Sequence, residues 1–360
     1  MPPPPPPPPP NRGQWQQPPR RKKGMGVAGI LGLVFGAMAA IFVLIVVVSA
    51  ASSSGRHRTY VPEAMPSISH YQPPTRLRTR TTQDQEPTRA TERPTQQPTT
   101  EEPSPDTTQS EEPRVTLNTS LTGNTFYKVG GLPRSDCRAG NANIFSHSQL
   151  KALILKTGQC MNRVWGPALQ RQGIEFRAPG YMIASGRGRG ACGDYPSRGS
   201  MVPYYCPRNN TIYASTTAMA RGNGNARGYG EIIQWNGGII SMMAHEYGHH
   251  IQQLTGVMDS WWAKTTATSS NSARLGLSRR LELQATCIGG MWMRSVASSY
   301  PVSTSNRIRL FTFYGQVGDY PGWPRDHGAP VNNNRWFRQG WEKNQAYQCN
   351  TWAAPSSTTS

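Results

Sequence analysis

The longest apolar run comes early in the chain. Residues 25–48, MGVAGILGLVFGAMAAIFVLIVVV, hold 24 consecutive positions without a charge. A helix rising about 1.5 Å per residue carries such a run across a hydrocarbon core of about 30 Å. On either side the apolar pattern disappears. Residues 1–24 begin with Pro2–Pro10, and residues 51–114 mix Pro, Thr, Gln, Glu and Arg with few large apolar groups, too few to offset chain entropy. From residue 115 onward periodicity returns. Residues 239–256 (IISMMAHEYGHHIQQLTG) and 279–295 (RRLELQATCIGGMWMRS) repeat apolar side chains on a helical period, with Gly256 placed as a stop. Short stretches at 174–176, 181–184 and 211–214 predict strands, whereas 186–230 is rich in Gly and Arg and reads mostly as loop. The expected fold class is α+β, a small sheet packed on two helices. The expected organisation is a disordered Pro-rich basic tail (1–24), one transmembrane helix (25–50), a disordered linker (51–114) and a folded domain (115–360).

Charge orients this arrangement. Arg20, Arg21, Lys22 and Lys23 precede the apolar run, so the positive-inside bias keeps the N-terminus cytoplasmic and places the folded domain outside the cell membrane. The run exceeds the roughly 7 to 15 residues of a signal-peptide core, which favours an uncleaved anchor. Ala28, Gly32, Gly36 and Ala40 recur every fourth residue, a spacing that lets two such helices pair into a homodimer. Of the net +19, the segment from 115 onward carries 25 basic and 10 acidic residues, or +15. In an extracytoplasmic setting that sign suits peptide or protein substrates, anionic cell-wall polymers or anionic lipid headgroups. Nucleic acid is not the expected partner, because no motif for it is visible. All six cysteines lie in the same segment, and an oxidising compartment favours disulfides. Cys192 with Cys206 is the favoured pair; Cys137 with Cys160 and Cys287 with Cys349 complete one of fifteen possible pairings. The chain has no CxxC, which argues against a zinc knuckle.

The candidate chemistry sits in HEYGH. His245 and His249 are four apart, so a helix presents both imidazoles on one face, able to reach one Zn2+ ion. Glu246 then lies beside the metal rather than on it, where a carboxylate can act as general base. His250, turned about 100° from His249, is expected to be supporting or solvent-facing. A third ligand must come from elsewhere. Gln252 and Thr255 occupy the positions where a metzincin needs Gly and His. Glu282 is the strongest candidate, a carboxylate among Leu281, Leu283, Ala285, Ile288 and Met291 that needs a partner if buried. An ion pair with Arg279 or Arg280 would answer the same need, and Asp259 is the alternative ligand.

The segments AHEYGHHIQ, RRLELQATCIGG and DHGAPVNNNRWFRQGWE, in that order, together resemble the neutral zinc metallopeptidase family over roughly residues 137–349. The resemblance implies a zincin-like domain with two metal-bearing helices and a thermolysin-like arrangement. His245, His249 and Glu282 would be the metal ligands and Glu246 the general base. Two positions depart from the family pattern. Thr286 stands where the family's ELQAD helix has its aspartate, expected to accept a hydrogen bond from a ligand histidine. Asp326-His327-Gly328-Ala329-Pro330 stands where the family reads THGSS. His327 is a candidate donor to the reaction's oxyanion, with Arg335 a weaker one. The strand at 211–214 would be an edge that pairs with a peptide. The expected function is a membrane-anchored, extracytoplasmic zinc metalloendopeptidase. The alternative is a weak or inactive zinc-binding descendant serving as a cell-surface adaptor, for which Thr286 is the best argument.

Overall fold

The computed structural model describes residues 116–138, 141–196, 202–221, 234–300, 302–322 and 324–360. The expected tail, transmembrane helix and linker lie outside the described residues. Among the described residues no helix is long and apolar enough to cross a membrane.

The described chain is a helical domain with a small sheet. In order, the elements are α1 (His147–Gln170), β1 (Gly180–Ala184), β2 (Gly188–Gly190), β3 (Gly193–Tyr195), β4 (Tyr204–Cys206), β5 (Thr211–Ser215) and α2 (Thr216–Arg221). There follow α3 (Asn236–Leu254), α4 (Val257–Thr266), α5 (Asn271–Ser295), α6 (Thr304–Tyr314) and α7 (Pro330–Lys343). The α+β expectation holds, with α3 and α5 as the two predicted helices. α3 ends where Thr255 turns its hydroxyl back to the Ile251 carbonyl (2.8 Å) and Gly256 adopts φ +72°. A side chain at 256 would meet Thr119 as well as strain that left-handed backbone. α5 begins two turns earlier than its apolar pattern, because Ser270 caps it by accepting from the Ala273 amide.

α5 is the central helix, every residue from Leu281 to Met293 being buried. It packs chiefly on α7 and α3, and glycines set both crossings. A Cβ on Gly248 of α3 would lie 2.7 Å from the Ala285 carbonyl of α5, and one on Gly340 of α7 would overlap the Cys287 carbonyl. The close approach of α3 to α5 brings Glu282 within reach of HEYGH.

The sheet has the order β1-β5-β4, with β1 parallel and β4 antiparallel to β5. Thr211–Ser215 is therefore the fully buried central strand, not the predicted edge; β4 is the edge that meets α3. Residues 174–176 are not a strand either. Ile174 is buried because it follows the end of α1, its amide bonded to the Leu169 carbonyl after Gly173 turns left-handed. Besides the predicted strand β5, the interval read mostly as loop holds the β2–β3 hairpin, β4 and α2. Its glycines make room for rings: a Cβ on Gly190 would lie 2.5 Å from both Tyr204 and Tyr213, and one on Gly188 would overlap Tyr195. The three tyrosines pack together beside the Cys192–Cys206 disulfide. Cys137–Cys160 and Cys287–Cys349 are also bonded, so the favoured pair is present and the pairing left open among fifteen is the one that completes it this way.

Candidate metal centre

His245 and His249 project from α3 toward α5, and Glu282 projects back between them. Glu282 Oε2 lies 3.2 Å from His245 Nε2 and 3.3 Å from His249 Nε2. All three side chains are nearly excluded from solvent, Glu282 being 6% exposed. Arg279 and Arg280, the alternative partners of Glu282, point elsewhere. Arg279 bonds the Thr359 carbonyl (3.1 Å), and Arg280 bonds the carbonyls of Thr351 and Ala354. Asp259 sits in the first turn of α4 and is not among the three groups brought together.

The hydrogen bonds on the far side of each imidazole decide whether this set fits a cation. His249 Nδ1 meets Gln252 Oε1 at 2.8 Å. The Gln252 amide cannot turn round, since its nitrogen donates to the Leu281 carbonyl and to Gln284. His245 Nδ1 meets Thr286 Oγ1 at 3.1 Å. With a cation held between them, each ring would carry its hydrogen on Nδ1, facing Gln252 or Thr286, and turn an Nε2 lone pair inward beside the Glu282 carboxylate. Two imidazole nitrogens and one carboxylate gathered in a nearly enclosed space form a donor set that suits a cation. Tetrahedral zinc with bonds of about 2.0–2.1 Å holds its ligand atoms about 3.3 Å apart, which the separations around Glu282 Oε2 match.

Electrostatics follow from the same packing. Burial opposes charge on Glu282, but His249, His327 and the hydrogen bonds from His245 and His249 outweigh it and hold the carboxyl well below its usual range. Burial lowers His245. Burial would lower His249 too, but Glu282 beside it raises it to about 9. Burial pushes Glu246 up to about 8. Glu246 Oε2 accepts the backbone N–H of Tyr205 on β4 at 2.8 Å, so the sheet edge fixes where the second carboxylate points.

His327 joins the cluster from the loop before α7. Its Nε2 lies 3.9 Å from Glu282 Oε2, and its Nδ1 bonds Asp326 at 2.6 Å. Burial alone would lower it, but Asp326, Glu282 and Asp319 together raise it to about 10. Asp319 anchors the loop by accepting the amides of His327 (3.0 Å) and Gly328 (2.7 Å). Arg335 is exposed on α7. His250 is wholly buried rather than solvent-facing, its Nε2 bonded to the Arg177 carbonyl (2.7 Å) and its Nδ1 to the Tyr205 hydroxyl (3.2 Å). It supports the strand that grips Glu246. Three further participants carry no local signature: the Tyr205 amide, Asp319 and Asn333. Gln252 alone had a usable signal, one helical turn after His249.

A cleft opens beside the cluster, with Val202, Met242, Phe313, Tyr314 and Val317 forming an apolar wall facing His245, Glu246, Glu282 and His327. The Tyr314 hydroxyl is engaged by the Ser241 carbonyl at 3.1 Å, and its ring stacks on Phe337, so the wall presents carbon rather than a polar group.

Comparison with known proteins adds relatives but no structural template. The chain is 27% identical over 198 residues to Uncharacterized protein YpfJ of Escherichia coli (strain K12), covering 52% of this chain and 66% of that protein, just under two thirds of its length. It is 27% identical over 251 residues to Uncharacterized protein Mb2605 of Mycobacterium bovis and to Uncharacterized protein Rv2575 of Mycobacterium tuberculosis, covering 62% of this chain and 77% of each. No solved structure matches the chain. A family model described as "Putative neutral zinc metallopeptidase" matches residues 129–319, a stretch that contains HEYGH and Glu282 and stops short of His327. That stretch is more than half of the 360 residues, and the chain belongs to this zinc metallopeptidase family.

Proposed function

We propose that the chain is an endopeptidase that hydrolyses peptide bonds at a zinc ion held by His245, His249 and Glu282, with Glu246 as general base. The observation that carries this reading is the convergence of two Nε2 atoms on one buried carboxylate oxygen at 3.2 and 3.3 Å. Bound there, zinc would supply Lewis acidity and lower the pKa of water to about 7. Glu246, steadied by the Tyr205 amide, takes the proton of the attacking water. Burial raises this carboxyl to about 8; a zinc ion beside it would favour the ionised form that takes the proton and later passes it to the leaving nitrogen. His327, aimed by Asp326 and kept charged, donates from Nε2 toward the negative charge developing on the carbonyl oxygen. The apolar wall of Phe313, Tyr314 and Val317 receives an uncharged side chain flanking the scissile bond.

The same reading places the enzyme on the outer face of the cell membrane, anchored through residues 25–50, with peptide or protein substrates. Its surface charge of +15 favours anionic wall polymers as a neighbour, and pairing of the anchors would make it a homodimer. The adaptor alternative rests on Thr286, which brings no charge to His245. Zinc content and casein cleavage of the 360-residue chain separate the two. One zinc per chain, lost in Glu282→Ala, with chelator-sensitive cleavage abolished in Glu246→Gln while zinc is retained, is the expected result. Zinc retained without cleavage of casein or peptides would refute the peptidase in favour of the adaptor.

A further inference from the structure

Thr286 is not alone behind His245. Its hydroxyl has a single hydrogen, and a His245 whose Nε2 ligates zinc would carry its own hydrogen on Nδ1 and be the donor of their 3.1 Å bond. Thr286 therefore accepts from His245 and spends its own hydrogen on Asn333 Oδ1, a long contact of 3.4 Å from α7. The Asn333 amide cannot be reversed. Its nitrogen donates to the carbonyls of His327 (3.0 Å) and Gly328 (3.1 Å), neither of which can donate back. The direction of the whole chain is thus determined: His245 N–H to Thr286, Thr286 O–H to Asn333, Asn333 N–H to the loop that carries His327. Thr286 is 1% and Asn333 2% exposed, both lining the cleft. At Gly328, φ +81° turns the backbone so that its carbonyl reaches Asn333.

We infer that Asn333 is a positioning residue of the metal centre, its carbonyl polarising Thr286 in place of a direct carboxylate and its amide tying the His327 loop to the same point. The inference rests on the proposed zinc peptidase reading. Hydrogen bonds in series strengthen one another in a low-dielectric interior, so the Asn333 carbonyl raises the acceptor strength that Thr286 offers to His245. The two ends of the Asn333 side chain serve two different groups: the oxygen serves a metal ligand, and the nitrogen serves the oxyanion donor.

The two ends can be separated by experiment on the 360-residue chain. Zinc affinity is measured by competition with a chromophoric chelator, the cobalt-substituted protein gives an absorption spectrum sensitive to ligand orientation, and kcat and KM are measured on a peptide. Asn333→Ala should weaken zinc binding about 10-fold, within the range for loss of a group that orients a ligand histidine, alter the cobalt spectrum and lower kcat. Asn333→Asp keeps the acceptor and removes the donors, so it should bind zinc at least as tightly as wild type while kcat still falls about 10-fold. Thr286→Val should weaken zinc binding as Asn333→Ala does, with no further loss in the double variant. If Asn333→Ala fails to fold, Asn333→Ser is measured in its place with the same expectation. Unchanged zinc affinity and cobalt spectrum in a folded Asn333→Ala or Asn333→Ser variant would overturn the inference and leave Asn333 a strut of the loop. A wild-type chain that takes up no zinc would overturn the peptidase reading itself, and this inference with it.

Discussion

Gly248, inside HEYGH, puts the geometry of the centre to a quantitative test. Replacing it with alanine has two opposed effects. In a helix interior the exchange gains about 1 kcal/mol from propensity. Against this, the new Cβ would lie 2.7 Å from the Ala285 carbonyl oxygen and 2.9 Å from its Cα, both backbone atoms of α5. Comfortable contact needs about 3.5 Å, so α3 and α5 must part by roughly 0.8 Å. Overpacking of this kind costs about 1–3 kcal/mol, leaving Gly248→Ala about 1 kcal/mol less stable than wild type. The larger effect falls on the metal. Ala285 is one turn from Glu282, so the same shift would stretch ligand separations of 3.2 and 3.3 Å toward about 4 Å, too wide for zinc bonds of about 2.0–2.1 Å. Zinc affinity should fall at least 10-fold. Urea unfolding of the metal-free chain and zinc titration measure the two effects. Gly276→Ala is the control, since its Cβ meets nothing nearer than Arg279 at 3.6 Å and should show the propensity gain alone. A Gly248→Ala protein that is stabilised like the control and binds zinc normally would refute the claim that this crossing sets the ligand geometry.

Other outcomes follow from the same contacts. Gln252→Leu removes the acceptor of His249 Nδ1 and should weaken zinc binding about 10- to 100-fold by chelator competition. Asp326→Asn releases His327 from its 2.6 Å carboxylate contact and should lower kcat about 100-fold while zinc stoichiometry stays at one; an unchanged kcat would exclude His327 from the reaction. Zinc at 100 times its dissociation constant should stabilise the wild type by about 2.7 kcal/mol in urea and leave Glu282→Ala unaffected. Replacing Cys287 and Cys349 with serine opens a 62-residue loop and should cost about 4 kcal/mol, against about 3 kcal/mol for the 14-residue Cys192–Cys206 loop.

What the amino-acid sequence disclosed and what it concealed divide along the range of the interactions. His245, Glu246 and His249 were legible because a helix makes their relation local, and Glu282 because a carboxylate in an apolar helix demands a partner. The first two turns of α5 escaped notice, since their Arg, Ser and Asn positions are partly exposed and show no apolar period. The Gly-rich interval misled because glycine there answers tyrosine rings from other strands rather than a turn. β5 read equally well as edge or centre, since strand order is set by its neighbours on both sides. Asn333 is one of three consecutive asparagines, and only the docking of α7 against α5 singles it out.

The apolar wall of the cleft has a consequence for how such a protein can diversify. The proposed zinc-binding side chains belong to α3 and α5, whereas Phe313, Tyr314 and Val317 come from the end of α6 and the turn after it. Apart from Met242 on α3 and Val202 before β4, the wall is thus written on a stretch of chain separate from the proposed ligands. On the proposed reading, a substitution at Val317 would re-address such an enzyme to a different side chain without disturbing a ligand, and a lineage could change its diet while its reactive machinery stays whole.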